Sequence, residues 1–305
     1  MSNAEAPWVQ LTLHPNGYEV DALEDALLAA GAVAVTLSDG GQDPVLELAP
    51  GETRLWRTTL VTGLFDARTL DIPAAQATIC RELDTRIMPS HRLDPLEDRD
   101  WVRAWMDDYH SMRFGRRLWV CPSHRSPPTG GAAVVHLDPG LAFGTGTHPT
   151  TALCLEWLDG FPVEGTTVLD YGCGSGILAI AAGVLGAREL WATDIDPQAL
   201  DATLGNARRN GLQDHLSVTA PENLPEGLCV DVVLANILAG PLVALAPRLA
   251  PRVRGGGVLV MSGLLERHAD EIEHAYARWF DFSSRRLQDG WVLLEAIRRH
   301  DEPTV

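Results

Sequence analysis

The chain has 305 residues, enough for two domains with separate cores, and a formal net charge of −17. An acidic excess of this size argues against extensive direct binding of nucleic acid, which needs basic patches, and it favours a basic partner. Five scattered cysteines without a C-x-x-C pair argue against a zinc ribbon or a disulfide framework, so a reduced, cytoplasmic setting is expected.

The N-terminal residues 1–92 are predicted to form a small α+β domain. Alternating apolar residues indicate a strand over 8–13, and helical spacing predicts a helix from Val20 to Ala30 that stops at Gly31. A second helix is expected over 72–87, and further strands over 32–37, 54–62 and 88–93. This strand-helix-strand-strand-helix-strand order is typical of a ferredoxin-like plait.

The next segment, 93–112, is predicted to be a linker helix. Trp101 and Trp105 lie four residues apart, on one face of such a helix, and would dock it. Residues 113–305 then form the second domain. Its first two strands, over 117–121 and 132–137, are expected to pair as a long hairpin across a loop rich in proline and glycine.

From residue 166 onward, apolar runs of strand length alternate with helical patterns, which predicts an α/β domain with a doubly wound parallel sheet. The strands are expected over 168–170, 189–193, 216–219, 230–234 and 257–262, and the helices over 177–186, 197–210, 239–250 and 266–279. Two final strands over 280–286 and 291–297, joined at Asp289-Gly290, should pair antiparallel. No stretch approaches the roughly 18 apolar residues of a membrane span, and the N-terminus shows no export signal.

The first of these strands leads into the most informative motif of the chain, Asp170–Gly176 (D-Y-G-C-G-S-G). Three glycines at alternate positions, Gly172, Gly174 and Gly176, predict a tight turn that lets a ligand lie against bare backbone at a helix N-terminus. The next strand ends at Asp194, where a carboxylate can accept hydrogen bonds from ribose hydroxyls. Strand, glycines and second acid together predict a nucleoside cofactor.

The spacing of the glycines indicates which cofactor this is. A dinucleotide site has the pattern G-x-G-x-x-G, whereas here Asp170 precedes glycines spaced G-x-G-x-G. A carboxylate at Asp170 would repel a pyrophosphate but suits the ammonium of a cofactor that carries an amino acid. The motif resembles the S-adenosylmethionine site of class I (Rossmann-like) methyltransferases.

Two further features accompany this motif. Loop 137–151 precedes the first helix of the domain, and Thr147 is expected to cap that helix. His148 lies in the same loop, but no second metal ligand follows or precedes it at a useful spacing, so no metal site is predicted. Asn236 follows the fourth strand and is predicted to point at the reacting methyl group. Ile237 and Leu238 follow it where amino-group methyltransferases that act on planar bases carry an aromatic residue, which favours an aliphatic amine.

Several longer strings resemble the PrmA family, which methylates amino groups of the eleventh protein of the large ribosomal subunit. They are L-D-P-G-L-A-F-G-T-G-T-H-P-T-T at 137–151, D-Y-G-C-G-S-G-I-L-A-I-A-A at 170–182, D-I-D-P-Q-A at 194–199 and A-N-I-L-A-G-P-L at 235–242. The similarity runs nearly end to end, with Tyr171 standing where phenylalanine is also common. It implies a substrate-recognition domain, a linker and a class I methyltransferase domain, and cofactor contacts at Thr151, Gly172, Asp194 and Asn236.

The resulting prediction is an S-adenosylmethionine-dependent N-methyltransferase of lysine and α-amino groups on that basic ribosomal protein. Asn236 is the predicted catalytic residue, and no general base is assigned. Two alternatives stay open at this point: an NAD-dependent oxidoreductase, and a ribosome-associated module that holds the cofactor without catalysis. The sequence predicts neither the modified amines nor the oligomeric state.

Overall fold

The computed structural model describes residues 8–41, 56, 58–96, 110–123, 125, 133–138 and 146–300. The chain divides into two compact units, Met1–Trp101 and Val102–Val305. The predicted linker helix over 93–112 falls mostly outside the described residues, although its first residues belong to a strand that ends at Leu96 and its last, Met112, begins another strand. Within the described ranges, no helix is long and apolar enough to cross a bilayer.

The first unit contains a four-stranded antiparallel sheet and two helices. Its elements are β1 (Trp8–Leu13), α1 (Val20–Ala29), β2 (Ala34–Asp39), β3 (Thr59–Asp66), α2 (Ile72–Glu82) and β4 (His91–Leu96), and the strand order is β2-β3-β1-β4. The order of elements is the expected one, and the assignment to the ferredoxin-like plait stays a prediction.

Helix α2 ends five residues earlier than periodicity predicts. Asp84 adopts a left-handed backbone with φ of 47°, and the Thr85 N–H donates to the Cys80 carbonyl at 2.9 Å. This six-to-one hydrogen bond is the Schellman arrangement that closes a helix C-terminus. The helices pack on the sheet through a core that includes Leu13, Leu23, Leu27, Val61, Phe65 and Ile79.

The second unit begins with a small sheet whose pairing differs from the prediction. Strand β5 (Met112–Phe114) pairs antiparallel with β6 (Leu118–Cys121), and β6 pairs parallel with β7 (Ala133–His136). The expected hairpin between β6 and β7 is therefore wrong. The hairpin instead turns at Gly115, which has φ of 68°, and the buried Asp159 carboxylate fixes it by accepting the Arg116 and Leu118 N–H groups at 2.6 and 3.0 Å.

A seven-stranded sheet forms the centre of the second unit, in the order β10-β9-β8-β11-β12-β14-β13. Five strands are parallel, and β14 runs antiparallel between β12 and β13. The strands are β8 (Thr167–Tyr171), β9 (Glu189–Thr193), β10 (Leu216–Thr219), β11 (Val230–Asn236), β12 (Val253–Leu265), β13 (Phe280–Gln288) and β14 (Trp291–Arg298). The predicted turn at Asp289-Gly290 is present, with positive φ at both residues.

Helices alternate with these strands, as the doubly wound prediction requires. They are α3 (Pro149–Gly160), α4 (Ile177–Val184), α5 (Pro197–Arg209), α6 (Ala239–Leu249) and α7 (Ala269–Tyr276), with short 3₁₀ turns at Pro221–Asn223, Ala250–Arg252 and Glu266–His268. Separate hydrophobic clusters form around Trp157 and Ile180 and around Leu242 and Tyr276. Strands β9 and β10 lie on one side of β8, whereas β11 and the later strands lie on the other side, so the strand order reverses between β8 and β11. Ligands of such sheets bind in the crevice beyond the carboxyl ends of the strands at this reversal point.

Candidate active site

The glycine turn joins β8 to α4 at this reversal point. Gly172, Gly174 and Gly176 have φ of 81°, 54° and 77°, a backbone that residues with a side chain rarely adopt. A Cβ on Gly172 would lie 2.3 Å from Ile237 Cγ2, and one on Gly176 would lie 2.7 Å from Thr203 Cγ2. Both backbone conformation and space therefore require glycine at Gly172 and Gly176.

Hydrogen bonds tie this turn to the end of β9. The N–H groups of Gly172 and Cys173 donate to the Thr193 carbonyl at 2.8 and 3.0 Å. Asp194 continues the link, because its Oδ2 accepts the Gly174 N–H at 2.9 Å and its Oδ1 accepts the Asp196 N–H at 3.0 Å. Each carboxylate oxygen can accept a further hydrogen bond, so Asp194 lies at the turn with acceptor capacity for a hydroxyl-bearing ligand.

Asp170 lies beneath the turn rather than in the crevice, with 1% of its surface exposed. Its Oδ2 accepts the Ala179 N–H at 3.1 Å, and its Oδ1 is buried with no hydrogen-bond partner in the described structure. Burial raises the pKa of this carboxyl to about 7, and the nearby Asp194 charge acts in the same direction. A positively charged group brought close to Asp170 would stabilise its ionised form.

Asn236 ends β11, beside the glycine turn. Its side-chain Nδ2 donates to Thr151 Oγ1 at 3.3 Å, across 85 positions of sequence. Its Oδ1 is buried and has no hydrogen-bond partner among the described residues. A buried amide oxygen without a donor is costly unless a ligand supplies one, so this atom marks a polar position that a bound N–H group can satisfy.

A cavity of about 500 Å³ lies between these elements, and four of the predicted site residues line it: Gly172, Gly174, Asp194 and Asn236. Thr151, Asp170 and Gly176 do not. Thr151 lies fully buried behind Asn236, and Gly176 begins α4. The rest of the lining is mostly apolar and includes Tyr171, Ile195, Pro221, Ile237, Leu238, Pro241, Leu245 and Trp291.

His148 and Trp291 form one wall of the cavity, a role that the sequence did not show. Their rings meet edge to face with centroids 4.8 Å apart. His148, rather than the predicted Thr147, caps α3, since its Nδ1 accepts the Thr150 N–H at 3.3 Å. The same Nδ1 lies 2.7 Å from Thr150 Oγ1, and partial burial lowers the pKa of His148 below its usual range.

Gly263 completes the floor of the cavity at an irregularity in β12. It has φ of 83°, and a Cβ there would lie 2.5 Å from the Ile237 carbonyl oxygen. Glycine in an apolar strand is the one signal that could have identified this position, because it often marks a bulge or a close backbone approach. Trp291 gave no such signal, since only the packing of β14 beside β12 brings it to the site. Across the described ranges, no three His, Cys, Asp or Glu side chains are grouped as a metal site.

The family model described as ribosomal protein L11 methyltransferase (PrmA) matches residues 7–299. The chain belongs to the PrmA family. The ribosomal protein L11 methyltransferases of Shewanella denitrificans and Shewanella piezotolerans are 50% and 47% identical to it, and each alignment covers 96% of this chain and 100% of the relative.

Among solved structures, a ribosomal protein L11 methylase from Lactobacillus delbrueckii subsp. bulgaricus is 32% identical with a TM-score of 0.57. The match covers 63% of this chain and 99% of that one. Membership of the PrmA family confirms the resemblance found in the sequence, the class I methyltransferase fold of the large unit and an enzyme that transfers methyl groups. It decides against the oxidoreductase and the non-catalytic module.

Proposed function

We propose that this PrmA-family methyltransferase transfers methyl groups from S-adenosylmethionine to lysine side-chain and N-terminal α-amino groups of ribosomal protein L11, in the cytoplasm. The observation that carries the proposal is the buried, unpartnered Oδ1 of Asn236, in the same cavity as the glycine turn and Asp194. An amide oxygen at this position can accept an N–H of an amine, and the neighbouring turn can hold a nucleoside.

The residues present fit S-adenosylmethionine. Gly172 keeps open a space that a Cβ would fill, Asp194 offers carboxylate oxygens for ribose hydroxyls, and the buried Oδ1 of Asp170 lacks a donor that an ammonium group would supply, directly or through water. When bound, S-adenosylmethionine supplies an electrophilic methyl group. The protein therefore has to position a neutral amine and exclude water, and alignment of this kind can contribute roughly 7–11 kcal/mol.

The cavity also fits an aliphatic amine better than a planar base. Free lysine has a pKa of about 10.4, so fewer than about one side chain in a thousand is neutral near pH 7. Ile237, Leu238 and Trp291 present apolar surface beside Asn236, and such surroundings lower the pKa of an ammonium group. Asn236 Oδ1 would accept one N–H of the neutral amine and leave its lone pair directed away from the amide.

The charge distribution supports a basic protein substrate held by the first unit. Residues 1–101 contain 17 of the 41 acidic and 7 of the 24 basic side chains, a net charge of −10 out of −17 for the whole chain. An acidic surface raises the rate of encounter with a basic partner. We infer that residues 1–92 recognise the substrate, that 93–112 link the domains, and that 113–305 hold the chemistry.

The test is methylation of ribosomal protein L11 purified from a strain that lacks this enzyme. Intact-mass and peptide mass spectrometry should show methyl groups on lysine and N-terminal amines after incubation with enzyme and S-adenosylmethionine. Asn236→Ala should lose most of this transfer, whereas Asn223→Ala, which removes an exposed amide outside the cavity lining, should keep it. No transfer by the unaltered enzyme would refute the proposed substrate, and equal transfer by Asn236→Ala would remove Asn236 from the mechanism.

A further inference from the structure

Asp170 is a carboxyl group buried beneath the glycine turn with one oxygen left over. Its surface is 1% exposed, and its Oδ1 has no hydrogen-bond partner in the part of the chain that the structure describes. Its Oδ2 accepts the Ala179 N–H at 3.1 Å, in the first turn of α4. This backbone donor replaces only part of the water that an ionised carboxylate loses on burial, so the surroundings favour the protonated acid.

The titratable groups that face Asp170 from neighbouring elements supply no positive charge. They are Cys173 in the glycine turn, Cys154 on α3 and Asp194 after β9, while α4 (Ile177–Val184) carries no titratable side chain. Burial raises the pKa of both thiols, so they stay neutral, and the Asp194 carboxylate repels a second negative charge. With burial the larger cause, the pKa of Asp170 rises to about 7.

We propose that Asp170 gives up a proton to solvent when S-adenosylmethionine binds, an inference that rests on the proposed function. The amino-acid end of this cofactor carries an ammonium group. Held at the turn above Asp170, an ammonium group would stabilise the ionised carboxylate at Oδ1, directly or through a water molecule. The ammonium charge then takes the place of the proton, and the buffer takes up the proton that leaves.

Cofactor affinity should therefore depend on pH through this one carboxyl. Below pH 7 the unliganded protein holds the proton and the bound protein does not, so a lower pH opposes binding. With a pKa of about 7 for unliganded Asp170, the affinity should rise about tenfold from pH 6 to pH 8. By the same relation, binding should release about three quarters of a proton at pH 6.5 and about one tenth at pH 8.

Isothermal titration calorimetry in buffers of different ionisation enthalpy counts the protons released. At pH 6.5, S-adenosylmethionine should release about three quarters of a proton more than 5′-methylthioadenosine, which lacks the amino-acid end. Both ligands carry the ribose predicted to contact Asp194, so their difference reports the amino-acid end. The cofactor's own ammonium group stays largely charged at this pH, since α-amino groups titrate near pH 7.7–8.0.

A variant assigns the proton to Asp170. Asp170→Asn is neutral at every pH and can still accept the Ala179 N–H, so it should bind S-adenosylmethionine without this release. The ratio of its affinity to that of the unaltered protein should change about tenfold between pH 6 and pH 8. Asp201→Asn, which alters an exposed carboxylate on α5, is the matched control and should behave like the unaltered protein.

The outcomes separate this inference from the proposed function. Equal proton release by Asp170→Asn and the unaltered protein, or by the two ligands, would overturn the inference. If Asp170→Asn fails to bind or to fold, the comparison of the two ligands on the unaltered protein still decides. Failure of the unaltered protein to bind S-adenosylmethionine would refute the proposed function, whereas binding without proton release would refute the inference alone.

Discussion

Replacing Asp170 with asparagine should change how the stability of the unliganded protein depends on pH. The carboxyl is almost fully buried, and burial raises its pKa from 3.8 to about 7. In the unfolded chain it loses its proton near pH 4. Between these two values the folded state therefore binds more protons than the unfolded state, and the free energy of unfolding falls as the pH rises.

The magnitude follows from the width of that window. The two pKa values lie about three units apart, and each unit corresponds to about 1.4 kcal/mol, so the loss is on the order of 4 kcal/mol by pH 8. Of the groups that face Asp170, the Asp194 carboxylate acts in the same direction as burial, and the Ala179 N–H, which donates to Oδ2, acts against it. Asparagine is neutral throughout and can still accept the Ala179 N–H, so Asp170→Asn should lose this pH dependence.

Urea unfolding of the unliganded proteins at pH 5, 6, 7 and 8 measures the effect. The free energy of unfolding of the unaltered protein should decline more steeply with pH than that of Asp170→Asn. Asp201→Asn, which alters an exposed carboxylate on α5, is the matched control and should follow the unaltered protein. Parallel pH profiles for Asp170→Asn and the unaltered protein would show that Asp170 is already ionised when buried, and would refute the reasoning.

Four further outcomes are expected. Asp194→Ala should weaken S-adenosylmethionine binding by roughly 1.5–3 kcal/mol for each charge-assisted hydrogen bond lost, and unchanged calorimetric affinity would rule out the ribose placement. Gly172→Ala should nearly abolish binding because of its φ and the contact with Ile237, whereas Gly172→Ala with Ile237→Ala should recover part of it; no recovery would leave backbone strain as the whole cause. The methylation rate should rise from about pH 7 to 9 if amine deprotonation limits it, and a flat profile would point to another step. Removing residues 1–101 should leave S-adenosylmethionine binding intact and impair methylation of ribosomal protein L11, which full activity of the truncated protein would contradict.

Local signals predicted the elements that carry the candidate site. The run from β8 through the glycine turn into α4 was predictable because alternate glycines have no steric cost at positive φ and the residues after them follow helical periodicity. The end of β9 before Asp194 and the position of Asn236 at the end of β11 followed from the same alternation of strands and helices. These features depend on residues close together in sequence.

Pairing and capping in the segment before the large sheet were less predictable. Strands β6 and β7 pair parallel, and a proline- and glycine-rich connection alone does not distinguish a hairpin from a crossover. The buried Asp159, about 40 residues downstream, fixes the preceding turn at Gly115 instead. Thr147 and His148 both have side chains that can cap α3. His148 is the residue that caps it, and the His148 ring also packs against Trp291.

The sequence by itself determined the order of strands and helices in the large unit, the glycine turn and the family of the chain, because each is encoded in contiguous residues with fixed backbone preferences. Only the tertiary structure decided which of the predicted site residues face the cavity. It placed Asp170 and Thr151 behind the surface, brought His148 and Trp291 into it, and joined Thr151 to Asn236. These contacts depend on how β8, β11, β12, β14 and α3 pack together, and periodicity within one segment carries no information about the side chains that another segment presents to it.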